Sequence, residues 1–134
     1  MNACAALFKA ALDEKKLYSI VSDGEDGDVL IDFPYNGKIF RCVFGSNDGK
    51  YFSLYLNYEH IPDEKVADMI FLCNELNIQY KWFTFYVDRD KDLMLHGDAI
   101  LTIENAADEA LELLIRALRM SEDVKARVMK TIYA

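Results

Sequence analysis

Hydrophobic and polar positions along the chain change period several times, and each change marks a new element. Leu7, Phe8, Ala11 and Leu12 recur at helical intervals near the start, which predicts a helix over residues 2–16 with Asn2 as its N-cap. Tyr18, Ile20 and Val21 read as a short extended segment, and Ser22 to Asp28 as an acidic turn whose two glycines supply positive φ. Three alternating runs follow, VLIDFPY, KIFRCVFG and KYFSLYLNY, separated by Asn36-Gly37 and by a turn from Ser46 to Gly49. Asn-Gly between two alternating runs is a strong hairpin signal, so these runs predict an antiparallel meander. Pro34 cannot donate a ladder hydrogen bond, which sets the first run at an edge or bends it there.

From Ile61 the period lengthens again. Pro62 suits a first helical turn, Asp63 and Glu64 suit its positive end, and apolar residues then recur at three and four, predicting a helix over residues 62–78. Two period-two runs follow, Trp82 to Asp88 and Leu93 to Leu101, joined by a polar turn from Asp88 to Asp92. A final helical region begins near Asn105, with Ala107, Ala110, Leu111, Leu114 and Leu118 on one face. Ser121, Glu122 and Asp123 read as a second helix start, with Lys125, Arg127 and Lys130 toward its negative end and a break near Met120. The expected order is α-β(3)-α-β(2)-α, an α+β fold with an antiparallel sheet packed with helices.

Length and composition narrow the classes. A chain of 134 residues with two prolines, six glycines and no repeat fits one folded domain without a linker. A formal charge of -8 argues against nucleic acid or anionic membrane as a partner, because both are held by clustered Lys and Arg, and leaves basic or neutral partners open. Cys4, Cys42 and Cys73 are widely spaced, odd in number and form no CxxC pair, which fits reduced thiols in a cytoplasmic protein. The first residues lack the basic and apolar regions of an export signal, and no stretch reaches transmembrane length.

Candidate chemistry is scarce. Asp88, Asp90 and Asp92 have the alternation of a calcium loop, yet its sixth position is Leu93 instead of glycine and its twelfth is Ala99 instead of glutamate. The run reads as a solvated hairpin turn, and the acids from Asp23 to Asp28 read likewise. Zinc would need a compact Cys/His cluster, and a phosphate cradle would need a helix after Gly45 to Gly49, where an alternating strand run follows instead; neither occurs. His60 and His96 are the only imidazoles, no GxSxG is present, and the cysteines fall where small core residues belong. Asn74 and Asn77 share a surface near a helix end and read as C-cap residues that bind backbone in the crossover, ahead of any ligand role. No catalytic residue, metal or cofactor is expected.

The apolar surfaces are more informative. The helix over residues 62–78 has two apolar rows, Val66, Met69, Ile70 and Cys73 beside Ala67, Phe71 and Ile78, which is more than one sheet needs. In the strands, Phe52, Leu54 and Leu56 alternate with Tyr51, Ser53 and Tyr55, and Phe83, Phe85 and Val87 alternate with Trp82, Thr84 and Tyr86. Tyr and Trp are enriched where a surface is buried against a partner with its polar tips satisfied. Tyr51, Tyr55, Trp82, Tyr86, Met69 and Phe71 are therefore the candidate dimer or partner interface. The same aromatics fit cross-strand packing under a helix or on a wet sheet face; base stacking fits poorly, since the RNP pattern is absent and the charge is wrong.

The order of elements, Ile61-Pro62 before the second helix, Asn74 and Asn77 at its end, Phe83, Phe85 and Asp88 in the next strand, and the Leu-rich last helix together resemble the YbjN family. That family shares the type III secretion chaperone-like fold. The resemblance covers most of the chain and implies a homodimer that binds a protein client or regulatory partner, with no active site to carry over. The expected function is a non-enzymatic, cytoplasmic protein-binding or chaperone-like regulator. The alternative is a small-molecule or metal-binding sensor built on the acidic turns or an internal pocket.

Overall fold

Asn36 and Gly37 both take positive φ, 51° and 76°, the pair of left-handed residues that a tight type I′ hairpin requires. The predicted meander forms around this turn. The computed structural model describes residues 1–134. In chain order it contains α1 (Ala3–Glu14), β1 (Ile20–Asp23), β2 (Val29–Tyr35), β3 (Lys38–Phe44), β4 (Tyr51–His60), α2 (Val66–Gln79), β5 (Thr84–Val87), β6 (Asp92–Ile100), α3 (Ala106–Asp123) and α4 (Lys125–Tyr133). The fold is α+β, with six antiparallel strands in the order β1-β2-β3-β4-β6-β5. After β4 the chain crosses through α2 to the far edge, and β6 returns to fill the gap between β4 and β5.

The extended segment after α1 is a true strand. β1 pairs with β2 from Ile20 opposite Asp32 to Asp23 opposite Val29, so β2 is an inner strand. Pro34 is accommodated because that pairing ends at Asp32, leaving the proline beyond the covered part of β2.

Alternation decides which face is covered. Val29, Ile31 and Phe33, then Phe40, Cys42 and Phe44, then Phe52, Leu54, Leu56 and Tyr58, and finally Leu93, Leu95 and Phe85 are all buried on one side. Phe44 joins this layer to α1, with ring centroids 5.4 Å from Phe8 and 5.0 Å from Phe52. α1 packs on α3, α3 on β4, and α2 on β5 and α4. All helices thus lie on one face, and the other face is uncovered. No helix is long and apolar enough to cross a membrane.

α1 is capped as expected: Asn2 Oδ1 accepts from the Ala5 N–H at 3.0 Å, and Asn2 Nδ2 donates to the Phe44 carbonyl at 3.0 Å. Its inward stripe is Cys4, Ala5, Phe8 and Leu12, while Leu7 is exposed. The expected break near Met120 falls instead at Val124, and Ser121 is no N-cap. Met120, Ser121 and Val124 are all buried, so packing carries the helix through the polar sequence, and the Ser121 hydroxyl donates to the Leu118 carbonyl at 2.7 Å.

The Tyr58 hydroxyl reaches across this interface to donate to the Ser121 carbonyl at 2.6 Å, and burial pushes its pKa up to about 12. Tyr58→Phe leaves that carbonyl unpaired in the core, so a loss of about 1–2 kcal/mol is expected in a urea titration. Unchanged stability would mean that water replaces the hydroxyl.

Candidate functional site

The uncovered face is built from the residues that alternate with the core. Register aligns Ile20, Asp32, Arg41, Tyr55 and His96 in a row across five strands. Ile39 and Met94 lie on one side of the row, Ser53 and Asp98 on the other. Tyr51 is 53 % exposed, Ile20, Ile39 and Ile100 are also exposed, and Tyr55, Tyr86 and Met94 are half-buried. Apolar groups thus cover much of a face that no element of the chain shields.

Three polar clusters lie among them. Arg41 donates through Nε and Nη2 to the two oxygens of Asp32, both at 2.9 Å, a bidentate fork. His96 stacks on Tyr55 at 4.2 Å between centroids and meets the edge of Tyr86 at 6.5 Å. Its Nε2 lies 2.7 Å from Asp98 Oδ1, which also accepts from the Ser53 hydroxyl at 2.5 Å. Partial burial pushes the Asp98 carboxyl up, and the bonds from Ser53 and His96 more than offset it, leaving its pKa below the usual range. The order of this chain matters chemically. Ser53 donates to the acid and not to the imidazole, so the bond by which a base activates a hydroxyl nucleophile is not formed. Near the far end, Asp92 accepts from Asn57 at 2.8 Å and lies 2.7 Å from His60 Nδ1, contacts that lower its pKa.

The six residues expected at an interface do not form one patch. Tyr51, Tyr55 and Tyr86 lie on the uncovered face as anticipated. Trp82 does not. It precedes β5 with φ of 78°, is 62 % exposed, and has Arg116 of α3 5.8 Å from its ring centroid, on the helical side. Met69 also departs from expectation: it is 0 % exposed, because α2 turns Met69, Leu72, Cys73 and Leu76 inward. Phe71, at 67 %, is exposed, as are Ile70 and Ile78 on the same helix. These three form a second apolar surface on α2, with Ile70 next to the edge strand β5 and Phe71 toward α4.

Asn77 holds that edge. Its Oδ1 accepts from the Phe85 N–H at 2.7 Å and its Nδ2 donates to the Phe85 carbonyl at 3.0 Å. It binds backbone, as expected of it, yet not as a cap: the helix runs on to Gln79, and the amide takes the place of a neighbouring strand. Asn74 is exposed.

The acidic turn from Asp88 to Asp92 is satisfied internally, with Asp88 Oδ1 accepting from the N–H groups of Asp90 and Asp92. No three His, Cys, Asp or Glu side chains gather into a metal-holding group. All three cysteines are buried free thiols; burial raises the pKa of each, that of Cys73 to about 11.

Residues that reasoning from the sequence did not assign to the surface are Ile20, Ile39 and Arg41. The signal was available for the last two, since Ile39, Arg41 and Val43 alternate with Phe40, Cys42 and Phe44.

Three comparisons bear on this arrangement. The chain matches the Yersinia pestis type III secretion chaperone SycH, solved in complex with a stable fragment of YscM2, with a TM-score of 0.58 and 10 % identity over 90 % of this chain and 98 % of that one. At that identity the likeness is one of fold. No curated protein matches the sequence. The model of the YbjN family, described as "Putative bacterial sensory transduction regulator", matches residues 5–131, and the chain belongs to that family.

Proposed function

We propose that this chain is a non-enzymatic, chaperone-like regulatory domain that works as a homodimer and holds a segment of another protein on the uncovered face of its sheet. The one-sided sheet carries this reading: a six-stranded layer has all its helices on one side and presents Tyr51, Tyr55, Tyr86 and four aliphatic residues on the other. SycH, of similar fold, was solved with a fragment of a second protein, which supports the same kind of work here. The exposed Ile70, Phe71 and Ile78 of α2 are assigned to self-association, a separate apolar surface of the chemistry that a two-fold contact needs.

Two measurements test the two halves. Sedimentation at tens of micromolar is expected to give twice the chain mass of 15.4 kDa, and Ile70→Asp with Phe71→Asp a single chain mass with the thermal transition retained. A wild-type protein that stays monomeric at that concentration removes the homodimer. For the partner, affinity capture is compared between wild type and Tyr51→Ala with Tyr55→Ala. Equal yield of the same partners on the folded double variant would show that the sheet face is not where they bind.

A further inference from the structure

The row across the sheet contains a depression of about 370 Å³. Its walls are Ile20, Ile39, Tyr55 and Met94, and the Arg41–Asp32 pair lies at its polar side. We propose that this depression receives an aliphatic side chain of an extended polypeptide segment with neutral or basic flanks, and that Arg41 holds a main-chain carbonyl of that segment. The proposal rests on the reading of the uncovered face as a partner surface and specifies which partner fits it.

Hydrogen-bonding capacity comes first. A guanidinium has five N–H groups, and Asp32 takes one from Nε and one from Nη2. Three remain, two of them on Nη1, and the Arg41 side chain is 49 % exposed whereas that of Asp32 is 14 % exposed. The fork turned away from Asp32 is thus open to an acceptor. Because Asp32 already offsets the charge of Arg41, this fork contributes hydrogen bonds with little net charge. A neutral carbonyl suits it better than a second carboxylate, which would face Asp32 across the same guanidinium.

Charge around the depression selects the flanks. The neighbouring strand β6 presents Asp92 and Asp98, each partnered by a histidine and by no Lys or Arg. The chain as a whole is at -8. Lys or Arg on either side of an aliphatic centre therefore complements the site, and Glu or Asp opposes it. The form of the segment follows from the surface. Tyr55 is both a wall of the depression and the stacking partner of His96, so apolar contact runs on along the row past a single side chain. An extended segment, with alternate side chains pointing down, can follow it.

The test uses two fluorescein-labelled peptides with the same alternating Ile/Ser/Leu centre, one flanked by Lys pairs and one by Glu pairs, with binding read as anisotropy at low salt. The Lys-flanked peptide is expected to bind at least ~10-fold more tightly than its twin. Ile39→Asp, an exposed position whose change leaves the core intact, is expected to weaken binding roughly 10-fold or more, since it removes an aliphatic contact and puts a carboxylate where the bound aliphatic side chain would desolvate it, a cost larger than its attraction for the Lys flanks. Arg41→Lys keeps the charge but not the fork and is expected to cost about 3- to 10-fold. Binding of the Lys-flanked peptide that Ile39→Asp leaves unchanged overturns this site while the protein-binding reading survives. If neither peptide binds and the folded Tyr51/Tyr55 double variant captures partners as well as wild type, the partner-surface reading falls together with the site. Conversion of a wild-type dimer to a monomer by Ile39→Asp would make the occupant a second copy of this chain, and would also overturn the proposal.

Discussion

Asn77→Ala is expected to destabilise the protein by about 2–3 kcal/mol, a large effect for one exposed-helix amide, because both hydrogen bonds to Phe85 are lost together. β5 is only four residues long and pairs with β6 alone, so on its outer side the backbone of Phe85 has the Asn77 amide as its partner. Phe85 itself is 2 % exposed, which limits how far water can replace the missing groups. The loss is also local in character. Hydrogen exchange at the Phe85 amide is expected to rise by an order of magnitude or more relative to that of Leu95 on β6, which stays paired with Leu56 of β4 on the side away from Asn77. An edge so uncovered, beside exposed Ile70 and Ile78, is expected to aggregate on warming. Equal protection of Phe85 in the variant would show that packing of α2, not the side-chain amide, secures the edge.

Asn77 also shows what kind of information the sequence carries in readable form. The strands and helices are written in local periodicity: Phe40, Cys42 and Phe44 alternate along one run, and Phe8 and Leu12 recur along another. Turns are local too, and Asn36-Gly37 behaves as its chemistry dictates. Asn77 is recognisable as a residue that binds backbone, but which backbone depends on where β5 runs, and that is decided by the whole sheet. Ser121 was misleading for the same reason. Its local pattern favours a cap, and burial of Met120 and Val124 against the core overrides it.

The candidate site divides along the same line. The face on which Tyr51 and Tyr55 lie was readable because a strand puts alternate residues on opposite faces, and the register of β4 shifts only beyond them, between Asn57 and Glu59. Met69 was not, because helix α2 has apolar residues nearly all round and only the position of the sheet selects Met69, Leu72 and Cys73 over Ile70 and Phe71. Trp82 was placed on the wrong surface by extending the strand alternation two residues too far. A bulky residue seldom takes positive φ, so nothing near Trp82 in the chain announces the turn. Its cause lies in β6, at Gly97.

Gly97→Ala is therefore expected to be among the most damaging single-methyl changes available, at roughly 2–3 kcal/mol and a fall in Tm of roughly 5–10 °C. A Cβ on Gly97 would lie 2.6 Å from Cδ1 of Phe83 and 2.8 Å from the backbone oxygen of Trp82. The Phe83 ring occupies the space that a side chain on β6 would fill, and it gets there because Trp82 turns through φ of 78°. That conformation costs about 1–3 kcal/mol, which burial of a phenylalanine can offset. One of the two contacts is to backbone, so a rotamer change at Phe83 alone cannot relieve the clash. Phe83→Ala combined with Gly97→Ala is accordingly expected to cost less than the sum of the single changes by about 1 kcal/mol, since removing the ring opens part of the room that the methyl needs. Trp82 is the only tryptophan in the chain, so its emission reports the same movement. In Gly97→Ala its contact with Arg116 is expected to loosen, raising acrylamide quenching before any unfolding. Additive costs in the double variant with unchanged Trp82 emission would mean that β6 yields instead, and that the left-handed turn at Trp82 owes its existence to the contact with α3.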